Sequence, residues 1–545
     1  VRRVSVAIPA VLIAVAGWAH RWMNEDAYIY LRVVDQVFAG HGPVFNAGER
    51  VEAATGPLWL AVLVAGRFLF GWFLRDEWIA VLAALIASVA AFAVAGKATL
   101  LAHRDEEGIV VPVGMLLVAA VTVVWDFSTS GLEMGLAWLW LAVSWLALVW
   151  AARAEELRGW RRNGACLVLG VAPLVRPELG LMMICLMVGW FVLARPRRIV
   201  KDLVWMFALP VVYEIFRMGY YASLVPNTAL AKGAGGLHVR QGWDYAQDFI
   251  STYHLWLTAA IVLVLLGLRW MRARDSRMAV ATVAMIGAAG LDAAYIVAIG
   301  GDYMHGRLLL PAFFAFGLPA SICLQRSRVP ELVLAGAATV WALITLVAFR
   351  PAPPAPTGYL VVQVADWRAV SGAKIVLDDS VGAAGLSGHE VADMYAKGER
   401  GYYQVLSTEA LPSLDPDAFV YTLGSIGTPA YNAGRSVWIV DIGGLAEPLA
   451  ARSTPKPNRP AGHRKNVDPA WYDARFGVPS PNDSDAVVAA RRALGCGEVK
   501  ELLDAVDGDM TAGRFFSNIW DSFSLTRMNV PADPVEAEKK FCPPP

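Results

Sequence analysis

Charge is scarce in this chain. Of 545 residues only 17% are charged and 57% are hydrophobic; soluble domains carry about 25% charged residues. The composition therefore excludes an ordinary soluble globule. The charge that is present balances, with 47 Lys and Arg against 47 Asp and Glu. A net charge of zero gives no reason to expect a nucleic-acid partner. Cysteine is also rare, at five residues. Cys166, Cys185 and Cys323 lie in apolar runs and read as packing residues. Signature motifs are missing too. There is no GxxxxGK[ST], no GxGxxG opening a helix and no HExxH. The DxD at Asp507-Gly508-Asp509 reads as a turn. A nucleotide-sugar donor therefore has no support, and a lipid phosphate fits the greasy composition better.

What is present is a series of apolar runs. A spanning helix needs about 20 apolar residues. Candidates are 4–20, 78–97, 109–125, 133–151, 163–176, 178–194, 200–218, 254–272, 278–299, 306–325 and 328–349. The first run has no small-residue cleavage site and reads as a retained helix. Basic clusters at 153–162, 195–201, 269–277 and 324–328 point to the cytoplasm. Residues 22–55, 126–133, 176–178, 219–253 and 300–307 then fall outside, as does everything after 350. Parity allows only one of 56–73 and 78–97 to span. The first carries Arg67, costly at the bilayer centre, so 56–73 is expected to be re-entrant or interfacial. The expectation is a polytopic α-helical membrane protein of about eleven spans, occupying residues 1–350. A Pro-rich linker follows at 351–358. Residues 359–545 mix β-like runs (YLVVQVA, KIVLDD, AFVYTLG, VWIVDIG) with helical ones (DAVVAARRAL), as in an extracytoplasmic α/β domain. Cys496 and Cys542 both lie there, where oxidation is permitted, and are expected to form a disulfide.

The polar residues of the membrane half gather at the outer face. Asp26 is placed to cap a helix from Ala27 to Ala39, the bland reading. Its neighbour Glu25 supports a second reading, a carboxylate pair with one pKa raised to serve as a base. Arg176, in LVRPELG, is either an interface arginine reaching for water or a phosphate ligand on a rigid turn. Lys232 and Arg307 are further candidate phosphate ligands. Glu133 in TSGLEM reads as an acid at a helix amino end. Asp302 and His305 in GGDYMHGR could bind sugar hydroxyls or simply satisfy a loop. Tyr220, Tyr221 and Asn227 could line a sugar site or a lipid groove; Tyr is also a routine interface anchor. No metal site is indicated. A transporter would place such groups near the midplane, and Asp292 is the main acid so placed. An outer face of acids and cations over an apolar bundle favours an enzyme acting on a lipid-linked substrate.

The stretch NEDAYIYLRVVDQVFAGHGPVFNAGERVEA resembles the opening loop of the AftB arabinofuranosyltransferases, within the GT-C glycosyltransferases. So do TSGLE, the PNT-AK loop, GGD-M-R, Asp441-Ile442-Gly443-Gly444-Leu445 and Gly462-His463-Arg464-Lys465. That resemblance implies a GT-C transmembrane domain. It implies transfer of arabinofuranose from decaprenyl-phosphoryl-arabinose to the ends of cell-wall arabinan by β-(1→2) linkages. It places the catalytic acids on Glu25 and Asp26 and the enzyme in the plasma membrane with its site outside. Here Glu stands where the family has Asp at the first acid, EAATGPLW replaces a more polar stretch, and the chain is shorter. Another polyprenyl-phosphate sugar or a glycoprotein acceptor stays open.

Overall fold

The computed structural model describes residues 2–154, 159–194, 199–233, 236–273, 275–325, 329–349, 388–404, 409–424, 426–455, 465 and 467–542. The expected linker 351–358 and the runs YLVVQVA and KIVLDD lie outside them, as do Gly462, His463 and Arg464.

The membrane half opens with α1 (Arg2–Ala19), α2 (Glu25–Phe38), α3 (Pro57–Phe70) and α4 (Asp76–Ala102). Strand β1 (Ile109–Val111) leads into α5 (Val113–Ala119), α6 (Thr122–Phe127) and α7 (Met134–Arg153). Then come α8 (Gly159–Gly170), α9 (Ala172–Val175), α10 (Leu179–Ala194), α11 (Ile199–Tyr221) and α12 (Asn227–Ala231). The series closes with α13 (Val239–Thr252), α14 (Leu255–Ala273), α15 (Ser276–Ile299), a 3-10 turn (Arg307–Leu309), α16 (Leu310–Gly317), β2 (Ile322–Leu324) and α17 (Val329–Val347). Among the described residues four helices, α4, α7, α15 and α17, are long and apolar enough to cross a membrane. By length there is a fifth span if α13 and α14, bent by 79°, act as one. The chain is a helical membrane protein.

Three stretches expected as single helices are broken. In 109–125, Pro112 has no amide hydrogen to give, β1 pairs antiparallel with β2, and Val121 is extended. In 306–325, α16 ends at Gly317 and the chain becomes β2. These two paths cross at glycines: a Cβ on Gly114 would lie 2.0 Å from the Gly317 carbonyl. In 163–176, the break falls before Pro173. The 14-residue α3 is shorter than the roughly 20 residues a span requires. Its Arg67 is half-buried and paired with Asp35 at 3.1 Å and Asp76 at 3.0 Å.

The second half contains α18 (Gly388–Ala396), β3 (Gly401–Tyr403), β4 (Phe419–Leu423), α19 (Thr428–Asn432) and β5 (Trp438–Asp441). After these come α20 (Pro448–Ala451), α21 (Ala470–Phe476), α22 (Asp485–Leu494), α23 (Gly497–Asp507), α24 (Ala512–Arg527) and α25 (Pro534–Phe541). The three strands form a parallel sheet in the order β3-β4-β5, with Val420 opposite Tyr402 and Trp438. A disulfide joins Cys496 to Cys542 and ties α25 to the α22–α23 turn.

The two halves share one hydrophobic core through α2. Successive helix residues are turned by about 100°, so residues seven apart share a face and adjacent ones do not. Glu25 and Arg32 therefore face the C-terminal domain. Glu25 accepts from the Gly427 amide. Arg32, 1% exposed, donates to the carbonyls of Phe45, Ala430, Gly434 and Val437 and to Asn46. The rest of the opening loop is a fastening too. Asn46 exchanges two bonds with Ile439, Glu49 pairs with Arg475, and Arg50 donates to the Ala505 carbonyl. Glu52 binds Arg217 and Tyr213.

Two outcomes follow from these contacts. Replacing Arg32 by Met should strand several buried carbonyls and lower stability by about 1–3 kcal/mol for each one left unsatisfied. The conservative change Arg32→Lys should not restore it, because an ammonium cannot reach carbonyls on three sides; thermal unfolding of both variants checks this. Replacing Cys496 and Cys542 by Ala opens a bridge of sequence separation 46. The expected loss is up to about 4 kcal/mol from the unfolded-chain entropy alone, read as denaturant unfolding of the C-terminal domain.

Candidate active site

The site begins at the amino end of α2. Asn24, not Asp26, is the cap: its side chain accepts from the Asp26 amide at 2.8 Å. Asp26 thus lies inside the first helical turn, and the expected capping role is corrected. The Ser130 carbonyl accepts from the Asn24 amide, and Trp59 donates to the Gly131 carbonyl, so the 126–133 loop is knitted to α2 and α3.

The face of α2 about 100° round from Glu25 carries Asp26 and, one turn on, Tyr30. Both meet the same charge cluster. Arg307 donates to Asp26 Oδ2 at 3.3 Å and to Asp302 Oδ2 at 3.4 Å, and stands 3.9 Å from Glu133 Oε1. Arg176 pairs with Glu133 and Glu178 in two short contacts. Tyr30 donates to Glu133 Oε2 at 3.4 Å while accepting from the Gly56 amide at 2.8 Å. The cluster is dry, with Glu133 at 2% and Arg307 at 6% side-chain exposure, but Asp26 retains 22%. The most open carboxylate of the cluster, Asp26, is therefore backed by buried charges. The Nε of Arg307 is buried without a hydrogen-bond partner.

Glycines shape the loop that delivers Arg307. Gly300, Gly301 and Gly306 have φ of 96°, 71° and 63°. A Cβ on Gly301 would lie 2.4 Å from the Tyr245 ring. That ring must be close, because its hydroxyl donates to the Met304 carbonyl and accepts from the Leu308 amide, each at 3.0 Å. Tyr245 thus clamps the loop on which Asp302 and Arg307 sit.

The remaining expected residues divide. Lys232, half-buried after α12, is within electrostatic reach of Glu178 but makes no ion pair among the described residues. His305 is buried with Nδ1 against Asp248 and its ring between Phe249 and Tyr253, so it faces α13 and not the cluster. Tyr220 packs on Gly42 and Arg50, and Tyr221 donates to the Pro43 carbonyl at 2.7 Å. Asn227 donates to the carbonyls of Gly444, Leu445 and Glu447, a strap onto the C-terminal domain. Glu25, turned to Gly427, does not pair with Asp26. Asp441 accepts from the Gly443 and Ala446 amides and closes its own turn.

Sequence reasoning missed Tyr30, Glu178 and Tyr245. Glu178 stands two residues from Arg176, which was signal enough; the two tyrosines carried none. Asp292 on α15 lies within electrostatic reach of Arg176 and Glu178, with both carboxylate oxygens buried and without hydrogen-bond partners. Among the described residues no three His, Cys, Asp or Glu side chains converge as a metal site.

Residues 399–539 match the AftB family C-terminal domain. The chain is similar over nearly its whole length to two curated proteins. One is a terminal β-(1→2)-arabinofuranosyltransferase of Corynebacterium glutamicum, 30% identical across 97% of this chain and 86% of the relative. The other bears the same description in Mycobacterium tuberculosis, 31% identical across 96% of this chain and 95% of the relative. No solved structure matches the chain.

Breaking the buried Glu133–Arg176 contact should be costly because it leaves a charge unmatched, with about 3–5 kcal/mol expected for Glu133→Leu. A double-mutant cycle with Arg176→Met should give a coupling energy above about 1 kcal/mol. Additive losses would mean that the two side chains do not depend on each other.

Proposed function

The chain belongs to the AftB family of terminal β-(1→2)-arabinofuranosyltransferases, and on that premise we propose that the cluster around Asp26 transfers arabinofuranose from a polyprenyl-phosphate carrier to the non-reducing ends of an arabinan. Decaprenyl-phosphoryl-arabinose is the donor we infer, and cell-wall arabinan the acceptor. The reading includes a GT-C arrangement of about eleven spans in the plasma membrane, with the cluster and the C-terminal domain outside.

The observation that supports it most is the pairing of a part-exposed carboxylate with a buried guanidinium. Asp26 reaches solvent while Arg307 behind it is fixed by Asp302, Asp26 and Glu133. In transfer, the bond between the anomeric carbon and the phosphate oxygen breaks, and the electron pair leaves on the lipid phosphate. Arg307 is the residue we assign to that oxygen: its Nε hydrogen is unused and its contacts to Asp26 and Asp302 are long. Lys232 is assigned to the same phosphate. Arg176, gripped by two carboxylates, instead positions Glu133. The acceptor hydroxyl attacks the anomeric carbon and gives up its proton. A β-linked donor and a β product require retention. Two routes satisfy that: the phosphate leaves from the face the acceptor enters while Asp26 takes the acceptor's proton, or Asp26 first bonds to the sugar as the phosphate departs and the departed phosphate takes that proton.

The test is Asp26→Asn. Removing the base should lower transfer by about 10²–10⁴-fold. Loss of a first-turn acid costs folding only about 0.3–1 kcal/mol, so the variant should remain folded. The assay follows labelled arabinose from decaprenyl-phosphoryl-arabinose to a synthetic arabinan, beside a thermal-unfolding control. Near-normal transfer by the folded variant would remove Asp26 from the chemistry.

A further inference from the structure

Helix α24 is built inside out. Its protein-facing side holds Asn518, Ser522 and Leu525, all buried. Its open side holds Phe516 at 66%, Trp520 at 75% and Phe523 at 44% exposure. The spacings of four and three residues place these rings on one face. The helix is nevertheless well seated. Asn518 donates to the Gly219 carbonyl at 3.0 Å and the Ala505 carbonyl at 3.3 Å. Thr526 accepts from the Leu224 amide at 2.8 Å. The Phe515 ring fills the space left by Gly219, where a Cβ would lie 2.4 Å away. The polar side is thus docked by specific bonds, and the aromatic side is left facing outward.

The position of the helix gives the reason. It packs on the last turn of α11 and the segment just beyond it. The apolar residues Val211, Val212 and Ile215 of α11 are themselves exposed one to three turns earlier, as on a face that meets lipid. The aromatic stripe therefore continues an apolar surface at the end of a bundle helix. Around the helix, Ser517, Asp521 and Ser524 form a polar sector beside the rings, and Ser517 donates to Asp521 at 2.8 Å. Three sectors result: rings, polar edge and protein. A helix lying in a membrane interface needs that division, with aromatic rings at headgroup depth and a polar edge in water. Arg527 is exposed at the end of the ring sector, placed to reach headgroups with its stem along the rings.

We propose that α24 lies flat in the leaflet adjoining the acidic cluster, seating the C-terminal domain on the membrane through Phe516, Trp520 and Phe523. The inference rests on the membrane reading of α11 but not on the identity of the transferred sugar. It gives the C-terminal domain a fixed height above the plane in which a lipid phosphate sits.

The experiment is nitroxide accessibility in the full chain in phospholipid nanodiscs, with Cys166, Cys185 and Cys323 replaced by Ala and the disulfide intact. Labels go on Phe516→Cys, Trp520→Cys and Phe523→Cys. Val212→Cys on α11 is the lipid control and Val488→Cys on α22 the aqueous control. The expected result is that all three α24 labels collide with oxygen more than with a water-soluble nickel chelate, as the α11 control does. Nickel accessibility at the level of the α22 control would overturn the proposal. So would immobilisation of these labels only on adding an arabinan oligosaccharide, which would assign the rings to glycan stacking. If the α11 control itself were nickel-accessible, the membrane placement of α11 would be the part that failed, and the proposal would fall with it.

Discussion

The end of the molecule that carries the acidic cluster depends on how one buried arginine is satisfied. Arg32 lies 1% exposed in the middle of α2, and its hydrogen bonds go to main-chain carbonyls and one amide oxygen. A buried charge without such partners costs several kcal/mol. The carbonyls that meet it come from the opening loop and from the C-terminal domain, more than 390 positions away in sequence. Neither partner can withdraw without stranding the charge. The helix is thereby fixed in rotation as well as position. Because adjacent helix residues point about 100° apart, fixing Arg32 and Glu25 toward the domain turns Asp26 and Tyr30 toward the cluster.

The cluster has its own constraint. Four carboxylates, on Asp26, Glu133, Glu178 and Asp302, surround two guanidiniums, on Arg176 and Arg307. Such an excess of acid would be unstable if evenly shared. It is shared unevenly. Arg176 is held tightly by the buried Glu133 and the partly buried Glu178, whereas Arg307 touches Asp26 and Asp302 loosely, at 3.3 and 3.4 Å. The first pair supports the site and the second keeps an unfilled donor. Three cations on three loops, Arg176, Lys232 and Arg307, looked alike in sequence. Their acid partners separate them, and pairing is a matter of tertiary distance.

The apolar runs were legible because hydrophobic length is a local property. Eight of the eleven expected stretches are continuous helices. The three broken ones contain Pro112, Pro173 or the α16–β2 exit, and hydropathy cannot detect a break that is itself buried and apolar. The start of α2 was read too late. Asp and Asn are both good caps, and Asn24-Glu25-Asp26 offers two of them; the structure selects Asn24, which frees Asp26. The opening loop is as rich in charge as the rim of a site would be. Most of it is taken up in fastening: Glu49 and Arg50 find partners in the C-terminal domain at Arg475 and Ala505, and Glu52 binds Arg217 on α11. Charge density alone does not distinguish a clamp from a catalytic surface.

The broken helices and the clamp are parts of one arrangement. An unbroken span would carry its outer end straight into water. The break at 112–122 precedes the 126–133 loop, and left-handed glycines at 300, 301 and 306 turn the 300–307 loop, so that Glu133 and Arg307 meet over the amino end of α2. Each break exposes backbone groups that hydrocarbon cannot satisfy. Here β1 and β2 pair with one another, and Gly114 and Gly317 let the two broken paths touch backbone to backbone. The two segments must therefore break together, since either alone would leave unpaired amides. The C-terminal domain then closes the third side by holding α2. A domain that looked like an appendage in composition is on this account part of the wall of the site, and a chain ending near residue 350 would carry Asp26 on a helix free to rotate away from Arg307.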